Sequence, residues 1–361
     1  QRVSAGLNSL SDASGSEQKT WLLGAFVSPK ILLHFGNRLQ WLVYVPVGVK
    51  YYHSADGSLD YDKRFFSTCP YSNLTYKPTG RLSFDLTTIC EESMPSVLSQ
   101  MVLKHYVNYR TTMSNPYQVE IAPNRSVKLA FTSSYKDIIK MLFGGVTLSY
   151  VDARNGNSMG YQVVDDVVNY IVQPQSTKNR VWQIEQMVSK GFFRWNSKIS
   201  ESLSIGTSRS EYYVGGDCHD GRSDYLQAKI SYVASVRKWL NLSISNDYSV
   251  SKPYTDGKAS GEVYRTFMNA SSFTFWLGKQ LNVVPSVQYY HNNYFSSGRN
   301  NVFLNTVMEY YWGNATLSLK CTNLLDSRTF HRIIDNGITR YSGEYQLRGR
   351  TILFGIRIKI I

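Results

Sequence analysis

The segment with the highest density of metal-ligand side chains is DCHDGRSD, residues 217 to 224. It places the carboxylates of Asp217, Asp220 and Asp224 around the imidazole of His219. Carboxylate oxygens and imidazole nitrogens at this density are typical of calcium or zinc sites. A loop whose charged side chains are solvated explains the same residues without a metal. We adopt that simpler interpretation and predict no metal ligands.

The other reactive residue types form no catalytic set. The nucleophile motif GxSxG and glycine-rich phosphate-binding loops are absent from the sequence. The histidines occur singly at predicted strand ends or in loops, without a serine and a carboxylate at the spacing of a hydrolase triad: His34, His53, His105, His219, His291 and His331. We therefore predict no catalytic residues, no cofactor and no enzymatic activity.

The cysteines Cys69, Cys90, Cys218 and Cys321 lie far apart, with no CxxC pair and no histidine at zinc-binding spacing. Cys321 falls on the apolar face of its predicted strand, which indicates a free thiol. For Cys69 and Cys90, a disulfide bridge and two free thiols are both consistent with the sequence.

The elements that position these residues are predicted to be strands. The 361 residues are 14% aromatic and 18% charged, with too many aromatic and β-branched side chains for a disordered chain. The net charge of +13 is spread along the chain without a basic run, so we expect no nucleic-acid partner. No segment approaches the roughly 20 apolar residues of a transmembrane helix, but a barrel strand needs only about 9 to 11.

Long segments of alternating polarity locate these strands. They exceed the usual soluble strand of about 5 to 6 residues. Residues 225–250 alternate on both sides of a tight turn at Arg237 and Lys238, and residues 81–90 and 127–135 show the same period. In the last strand one face holds Ile352, Phe354, Ile356, Ile358 and Ile360, and the other holds Thr351, Gly355, Arg357 and Lys359.

A soluble two-layer sandwich would also alternate, so strand length decides between the two. From Ile352 to Ile360 a strand rises about 27 Å, which a tilt near 40° reduces to about 20 Å, close to the ~25 Å apolar band of membrane barrels. Aromatic residues near strand ends would suit interfacial girdles: Trp41, Tyr51, Tyr52, Trp239, Trp276, Tyr289, Tyr290, Tyr310, Tyr311 and Trp312. Arg350 and Arg348 continue the outward face of the last strand, either beside anionic headgroups or as solvated loop-end residues.

Two kinds of connection alternate along the chain. Short turns are predicted near Asn37, Gly80, Asp137, Trp195, Lys238, Gly278 and Gly313. Longer polar loops are predicted near residues 54–60, 92–117, 211–223, 253–260, 296–300 and 325–343. Short turns on one rim and long loops on the other are typical of outer-membrane barrels.

Two segments need separate interpretations. Counting residues 160–173 as a spanning strand would move the 211–223 loop to the short-turn rim, so we place them in an outer loop of about 153–178. Asp165 and Asp166, which would be unfavourable opposite lipid, agree with this placement. Residues 92–117, with Val97, Met101 and Tyr106 near helical spacing, predict either a short helix at the barrel mouth or an irregular loop. With residues 2–10 counted as a strand, the predicted number of strands in this chain is about 16.

The C-terminal region carries two recognisable motifs. Asn323, Leu324, Leu325 and Asp326 match an Asn-Leu-(Leu/Phe)-Asn/Asp motif, and Tyr345, Leu347, Arg348 and Arg350 match Tyr-x-(Leu/Ile)-Arg-x-Arg. With hairpins over the whole length, the chain resembles Bacteroidetes-type TonB-dependent outer-membrane receptors. The resemblance implies that residues 1–361 are an all-β antiparallel transmembrane β-barrel. The Ile360-Ile361 end departs from the terminal aromatic residue common in this class.

The resemblance also implies a function and partners. Family members carry a plug domain, a TonB-contacting segment and about 22 strands. We therefore expect the C-terminal part of a larger receptor or a shortened relative, with signal peptide and plug absent from this chain. Ligand capture by outer loops and uptake across a bacterial outer membrane would follow, with lipid or lipopolysaccharide and the TonB system as partners.

Other functions remain open at this stage. A barrel that acts as a pore, or that anchors a surface lipoprotein complex, is the alternative, and a soluble carbohydrate-binding sandwich is a third reading. Outer-membrane barrels also include lipases and proteases. The excess of cations indicates an anionic ligand or lipopolysaccharide, and no ligand-binding residue is assigned.

Overall fold

The structure is a computed structural model. It describes residues 2–4, 17–55, 60–95, 104–108, 111–115, 117, 119, 122–164, 167–294, 299–335 and 340–359, and every structural statement below refers to these residues. In the described part, no helix is long and apolar enough to cross a membrane. A short 3₁₀ turn at Phe193–Trp195 accompanies the strands.

In chain order the strands are β1 (Arg2–Ser4), β2 (Glu17–Val27), β3 (Lys30–Phe35), β4 (Leu39–Tyr44), β5 (Val47–Ala55), β6 (Asp60–Thr68), β7 (Tyr71–Tyr76), β8 (Leu82–Ser93), β9 (His105–Asn108), β10 (Thr111–Ser114), β11 (Asn124–Asp137), β12 (Leu142–Asn155), β13 (Ser158–Val164), β14 (Val167–Gln173), β15 (Thr177–Phe192), β16 (Ser197–Val214), β17 (Asp217–Arg237), β18 (Leu240–Thr255), β19 (Lys258–Ala259), β20 (Tyr264–Leu277), β21 (Leu281–Asn292), β22 (Asn300–Trp312), β23 (Ala315–Thr322), β24 (Thr329–Asp335), β25 (Arg340–Gln346) and β26 (Thr351–Ile358).

The wall is one continuous antiparallel sheet. Its pairing order is β3, β4, β7, β8, β11, β12, β15, β16, β17, β18, β20, β21, β22, β23 and β26. The strand order then returns from β26 to β3. The chain is therefore an all-β antiparallel barrel, as predicted. Fifteen strands in this order come close to the predicted total of about 16. That total included residues 2–10, of which 2–4 form β1 and 5–10 lie outside the described part.

Two faces alternate along each wall strand, because directly paired residues in an antiparallel sheet point the same way. One row across five strands joins Phe131, Leu148, Ile184, Ile205 and Leu226. The first four of these side chains are 43 to 49% exposed, since no part of the described chain covers them. An apolar face this long and uncovered is typical of a barrel whose outside contacts lipid.

The described residues contain very little buried apolar core. Buried hydrophobic side chains are restricted to Tyr52, Phe65, Val119, Val172 and Ala234. A soluble sandwich of this length would cover its apolar strand faces with a second sheet. The predicted membrane barrel therefore explains the exposed belt, and the soluble sandwich does not.

Proline residues divide the first strands into lower and upper parts. Pro29, Pro46 and Pro70 separate β3 from β2, β4 from β5, and β7 from β6. The pairing register continues across the break, with Val27 opposite Val47 above it and Lys30 opposite Tyr44 below it. Because proline has no N–H to donate, the ladder is interrupted at this level. Above it β1, β2, β5 and β6 form a separate four-stranded sheet.

The seven predicted short turns are all confirmed, since each lies between two consecutive wall strands. Several predicted outer loops, in contrast, are partly strands. Residues 211–223 belong mainly to β16 and β17, which extend to a tight turn at Gly215 and Gly216. Both glycines have positive φ, 61° and 103°, as a two-residue hairpin turn requires. Similarly, β18 extends to Thr255, and the hairpin of β24 and β25 takes up much of the predicted loop at residues 325–343 and continues to Gln346.

The outer-loop placement of residues 160–173 is confirmed. They belong to the hairpin of β13 and β14, whereas β12 pairs directly with β15 in the wall. Asp165 and Asp166 lie outside the described residues. In residues 92–117 the predicted helix or irregular loop is wrong where the chain is described. Tyr106 lies in β9, and β10 adds to β14 as a parallel strand, because the edge of that hairpin offers free ladder hydrogen bonds. Residues 96–103, which include Val97 and Met101, lie outside the described part.

Candidate functional site

The inward face of the wall is lined by small polar side chains. They form cross-strand hydrogen bonds, including Thr132 with Thr147 at 3.1 Å and Gln183 Nε2 donating to Ser204 Oγ at 3.0 Å. The same face carries charge on β17 and β18, where Lys229 lies opposite Asp247. Hydroxyl, amide and charged groups together make this face wettable along its length. The two faces of the wall thus separate an apolar outside from a polar lumen.

The described residues form a recess in the lumen wall. Its volume is about 660 Å³, and its polar lining comes from β11, β12, β15, β16 and β17: Thr132, Ser134, Lys136, Thr147, Gln183, Glu185, Ser189, Ser202, Ser204, Gln227 and Lys229. Gly145 contributes no side chain to this face, which leaves room for the recess. Glu185 accepts a 2.6 Å hydrogen bond from Gln183 Nε2. A polar solute entering the lumen would meet hydroxyl groups and both signs of charge here.

A second cluster on the inward face, near the last strands, contains Glu309, Tyr311 and Trp276. Tyr311 Oη donates to Glu309 Oε2 at 2.9 Å. Tyr311 also stacks on Trp276 with 6.1 Å between ring centroids. These aromatics were predicted to form an outer girdle, but they face the lumen. Neighbouring residues of a strand point to opposite faces, so an adjacent Tyr-Tyr or Tyr-Trp pair cannot lie wholly outside.

The girdle prediction holds for other residues of that set. Trp41, Tyr310 and Trp312 are outward and exposed, and Trp239 is exposed at the short-turn rim. Tyr52 is instead buried in the upper sheet, against Phe65. The aromatic belt therefore contains part of the predicted set.

The hairpin of β24 and β25 leans toward the mouth of the lumen. Phe330 at its base packs edge-on against Tyr290 and Phe303, with ring centroids 5.3 and 6.0 Å apart. Tyr290 and Phe303 both belong to the inward face of β21 and β22. Edge-to-face aromatic contacts of this kind hold the hairpin base over the lumen entrance. An outer element is thereby placed where it would meet an incoming ligand.

The segment 217–224 does not converge on a metal position. Asp220 and His219 alternate along β17, and His219 Nδ1 lies 2.9 Å from Asp256 Oδ2 instead. Asp224 receives two hydrogen bonds from Arg222, at 2.9 and 2.7 Å. Within the described residues, no group of three or more His, Cys, Asp or Glu side chains is arranged to hold a metal ion.

Asp256 connects two outer strand ends. Its Oδ1 accepts a hydrogen bond from the backbone N–H of Asp220 at 2.9 Å, in addition to the contact with His219. The hydrogen bond with His219 and that from the Asp220 N–H hold the pKa of the Asp256 carboxyl below its usual value. Asp256 and Gly257 occupy the turn with positive φ, 50° and 77°. This contact fixes the tip of β18 to β17.

Glu92 joins the upper sheet to the wall, which the sequence alone did not indicate. Its side chain is 2% exposed and accepts hydrogen bonds from Lys50 Nζ and Arg125 Nε, both at 3.0 Å. Lys50 belongs to β5 above the proline break, and Arg125 to the wall strand β11. A buried carboxylate between two cations fixes their relative position. The three residues are far apart in sequence and carry no shared motif.

The cysteines are unbridged in the described structure. Cys321 pairs with Ile352 on the outward face, which confirms the predicted free thiol on the apolar side. Cys69 and Cys90 lie beside each other at the proline break, where the Cys90 N–H donates to the Pro70 carbonyl at 3.0 Å. Their thiols are close enough to interact.

The two C-terminal motifs meet in one joint. Asn323 Oδ1 accepts the Ser327 N–H at 2.9 Å, and its amide donates to the Arg348 carbonyl at 3.1 Å. Asp326 Oδ1 accepts the N–H of Arg350 at 2.9 Å, and Arg350 Nε donates to the Leu324 carbonyl at 3.0 Å. Arg350 was predicted to contact headgroups or solvent, but the Asn323–Asp326 turn binds it.

An antiparallel barrel with an apolar exterior and a polar lumen defines the class: a β-barrel membrane protein. No family model and no curated protein matches the sequence. Among solved structures, the outer membrane transporter YddB of Escherichia coli is 10% identical with a TM-score of 0.40, over 96% of this chain and 52% of its own. The outer membrane channel DcaP of Acinetobacter baumannii is 10% identical with a TM-score of 0.36, and the match covers 98% of this chain and 99% of DcaP. OmpT, an outer membrane protein of Vibrio cholerae, is 8% identical with a TM-score of 0.30, and the match covers 82% of this chain and 98% of OmpT.

The chain thus spans about half the length of YddB. The uncovered apolar belt around a polar lumen agrees with the predicted location in a bacterial outer membrane. At this level of similarity the solved structures transfer no residue role or activity to this chain.

The prediction that the chain is not an enzyme is corrected. The similar structures include OmpT, in two forms at 8 to 10% identity, and outer-membrane barrels as a class include proteases. The barrel fold therefore does not exclude catalysis. The same likeness does not show that this chain is an enzyme.

Proposed function

We propose that this chain is the barrel of an outer-membrane transporter that captures a polar ligand and admits it through its lumen. The observation that supports this most directly is the division of the wall into an uncovered apolar outside and a hydrogen-bonded polar inside with a recess of about 660 Å³. The outer strands and the β24–β25 hairpin, held at the mouth by Phe330, would make the first contact with the ligand.

We further propose that uptake is of the TonB-dependent type. Support comes from the two C-terminal motifs, whose residues Asn323, Asp326 and Arg350 form one hydrogen-bonded joint at the outer end of β23 and β26. Energy-coupled import needs a plug inside the barrel, and the proposal places that plug outside the 361 residues. Lipid and the TonB system would then be its partners, and this part of the proposal rests on the resemblance.

A barrel that anchors a surface protein, or serves as a pore, is the second candidate. One observation favours the anchor. The upper sheet presents Trp21, Leu23 and Phe66 on the outward side, exposed by 56, 62 and 62%, above the proline break. Apolar groups on strands that rise beyond the belt would suit a protein partner, such as a surface lipoprotein, better than water.

The intact mass of the native protein distinguishes these functions. The protein is extracted with detergent from outer membranes of the source cell and weighed by mass spectrometry. A mass well above 41.2 kDa supports the plug-containing transporter, and a detergent-dependent species at 41.2 kDa favours the pore or anchor. Recovery in the soluble fraction would refute the membrane assignment.

A further inference from the structure

Three arginines form one row on the outward face of the wall. Arg180 in β15 pairs with Arg209 in β16, and Arg209 pairs with Arg222 in β17. Neighbouring strands lie about 4.8 Å apart, so the three backbones stand side by side. Their side chains are 48, 59 and 46% exposed. Like charges directly opposite each other in a sheet are unfavourable unless an anion neutralises them.

The carboxylates near this row leave donor groups available. Asp152 lies 3.8 Å from Arg180 and Asp220 lies 3.7 Å from Arg209, distances too long for direct hydrogen bonds. Exposed ion pairs of this kind are weak. Each guanidinium has five N–H donors, so one carboxylate occupies only part of its capacity. Arg222, which binds Asp224 at 2.7 Å, is also held over the ring of Tyr254.

The row lies just above the apolar belt. Four residues down each strand from the arginines is the apolar row that contains Ile184, Ile205 and Leu226. That spacing is about 13 Å along a strand and about 10 Å along the membrane normal at a tilt near 40°. The headgroup layer extends about 5 to 8 Å beyond the hydrocarbon on each side. With the isoleucines a few Å inside the edge of the hydrocarbon, the arginines lie within the headgroup layer, at the level of the phosphates.

An outward groove runs down from this row. It has a volume of about 590 Å³ and is lined mainly by apolar side chains, with Lys252 and its cross-strand neighbour Asp224 at its upper part. Trp182, Ile184, Ile205 and Val250 form the apolar lining. A groove with this lining fits an acyl chain, and a tryptophan at this level is typical of the membrane interface. Cations above an acyl-sized groove match a lipid that carries phosphate on its headgroup.

We propose that Arg180, Arg209 and Arg222, together with the groove below them, bind a phosphorylated glycolipid of the outer leaflet, namely lipid A. The guanidinium groups hold its phosphates through paired N–H donors, and one acyl chain lies in the groove. The site is separate from the lumen recess. It rests on the membrane location of the chain and is independent of whether the barrel transports a solute.

The test measures lipid A binding to the purified full chain by native mass spectrometry in detergent. The charge-removing variant is R180Q/R209Q/R222Q, and the matched control K128Q/K198Q/K320Q removes the same charge from the lumen face. The wild type and the control are expected to retain diphosphoryl lipid A. The arginine variant should bind at least about tenfold more weakly, because each cation near an anionic lipid surface contributes severalfold to binding. A heat-modifiable band in gel electrophoresis verifies that each variant is folded.

Two further probes identify the source of the phosphate. Lipid A without its phosphates should bind at least about tenfold more weakly to the wild type, and inorganic phosphate at millimolar concentration should not displace the lipid. The I205W variant, which fills the groove and keeps every charge, should also weaken binding. The proposal is overturned if the arginine variant binds like the wild type, if the lumen control weakens binding equally, or if free phosphate competes fully.

Discussion

Replacing Phe354 by arginine tests whether the exposed belt contacts lipid. Phe354 lies in the middle of the outward run from Ile352 to Ile358, is 67% exposed and pairs with Leu319. In a bilayer this position is near the centre of the hydrocarbon. On an insertion scale phenylalanine is favourable by about 0.5 kcal/mol at the centre, and arginine is unfavourable by about 2.5 to 3.5 kcal/mol. The Phe354→Arg variant should therefore lose about 3 to 4 kcal/mol of its free energy of unfolding.

The matched control places the same charge on the lumen face. Ser318 pairs with Gly355 and with Glu309 on the inward side, and its hydroxyl donates a 3.3 Å hydrogen bond to the Gly355 carbonyl. Ser318→Arg loses this weak bond and gains a carboxylate neighbour. We expect it to change the free energy of unfolding by less than about 1 kcal/mol.

Urea titration of the protein folded into phosphatidylcholine vesicles measures both values through tryptophan fluorescence. The predicted difference corresponds to a change of about 100-fold or more in the folding equilibrium. In a soluble protein, a surface substitution of this kind stays within about 0.5 kcal/mol. A Phe354→Arg variant as stable as the wild type, or a Ser318→Arg variant as unstable as Phe354→Arg, would refute the assignment of the two faces.

Three further predictions concern polar contacts above the belt. Because the pKa of Asp256 is lowered, its hydrogen bonds should persist from neutral pH down to its unfolded value of 3.8 and be lost as the pH falls below that. Asp256→Asn should shift the Asp220 amide NMR signal at neutral pH, and an unchanged signal would contradict the contact. Glu92→Gln removes a buried charge that two cations share and should lower the free energy of unfolding by about 1 to 2 kcal/mol, measured in a thermal melt. An unchanged melting temperature would show that Glu92 does not stabilise the contact between the upper sheet and the wall. A disulfide oxidant such as oxidised glutathione should convert Cys69 and Cys90 to one bridge, so that after denaturation only Cys218 and Cys321 react with an alkylating reagent. Alkylation of all four cysteines after the same oxidation would disprove the proximity of Cys69 and Cys90.

The membrane-facing part of the fold could be predicted because its signals are local. A strand alternates with a period of two, so the face of Phe354 is decided by its immediate neighbours. Short turns are likewise set by a few residues, such as Gly278 and Gly313, whose positive φ values of 71° and 55° favour glycine. Both features need no knowledge of the pairing partner.

The outer strands could not be predicted in the same way. Residues 211–223 were interpreted as a loop because polarity no longer alternates there. Above the membrane both faces of β16 and β17 contact water, so an extended strand has the composition of a loop. The prolines Pro29, Pro46 and Pro70 can be read in the sequence. That they interrupt the ladder at one level could not be predicted, because it depends on the pairing of the strands that carry them.

The sequence by itself determined that this chain has one apolar and one polar strand face, joined by short turns on one rim. Those properties follow from side-chain order along each strand. Only the tertiary structure decided which charges meet: Arg180, Arg209 and Arg222 in a single row, and Glu92 between Lys50 and Arg125. The reason is that strand register, which places distant residues opposite each other, depends on backbone hydrogen bonds that are the same for every side chain.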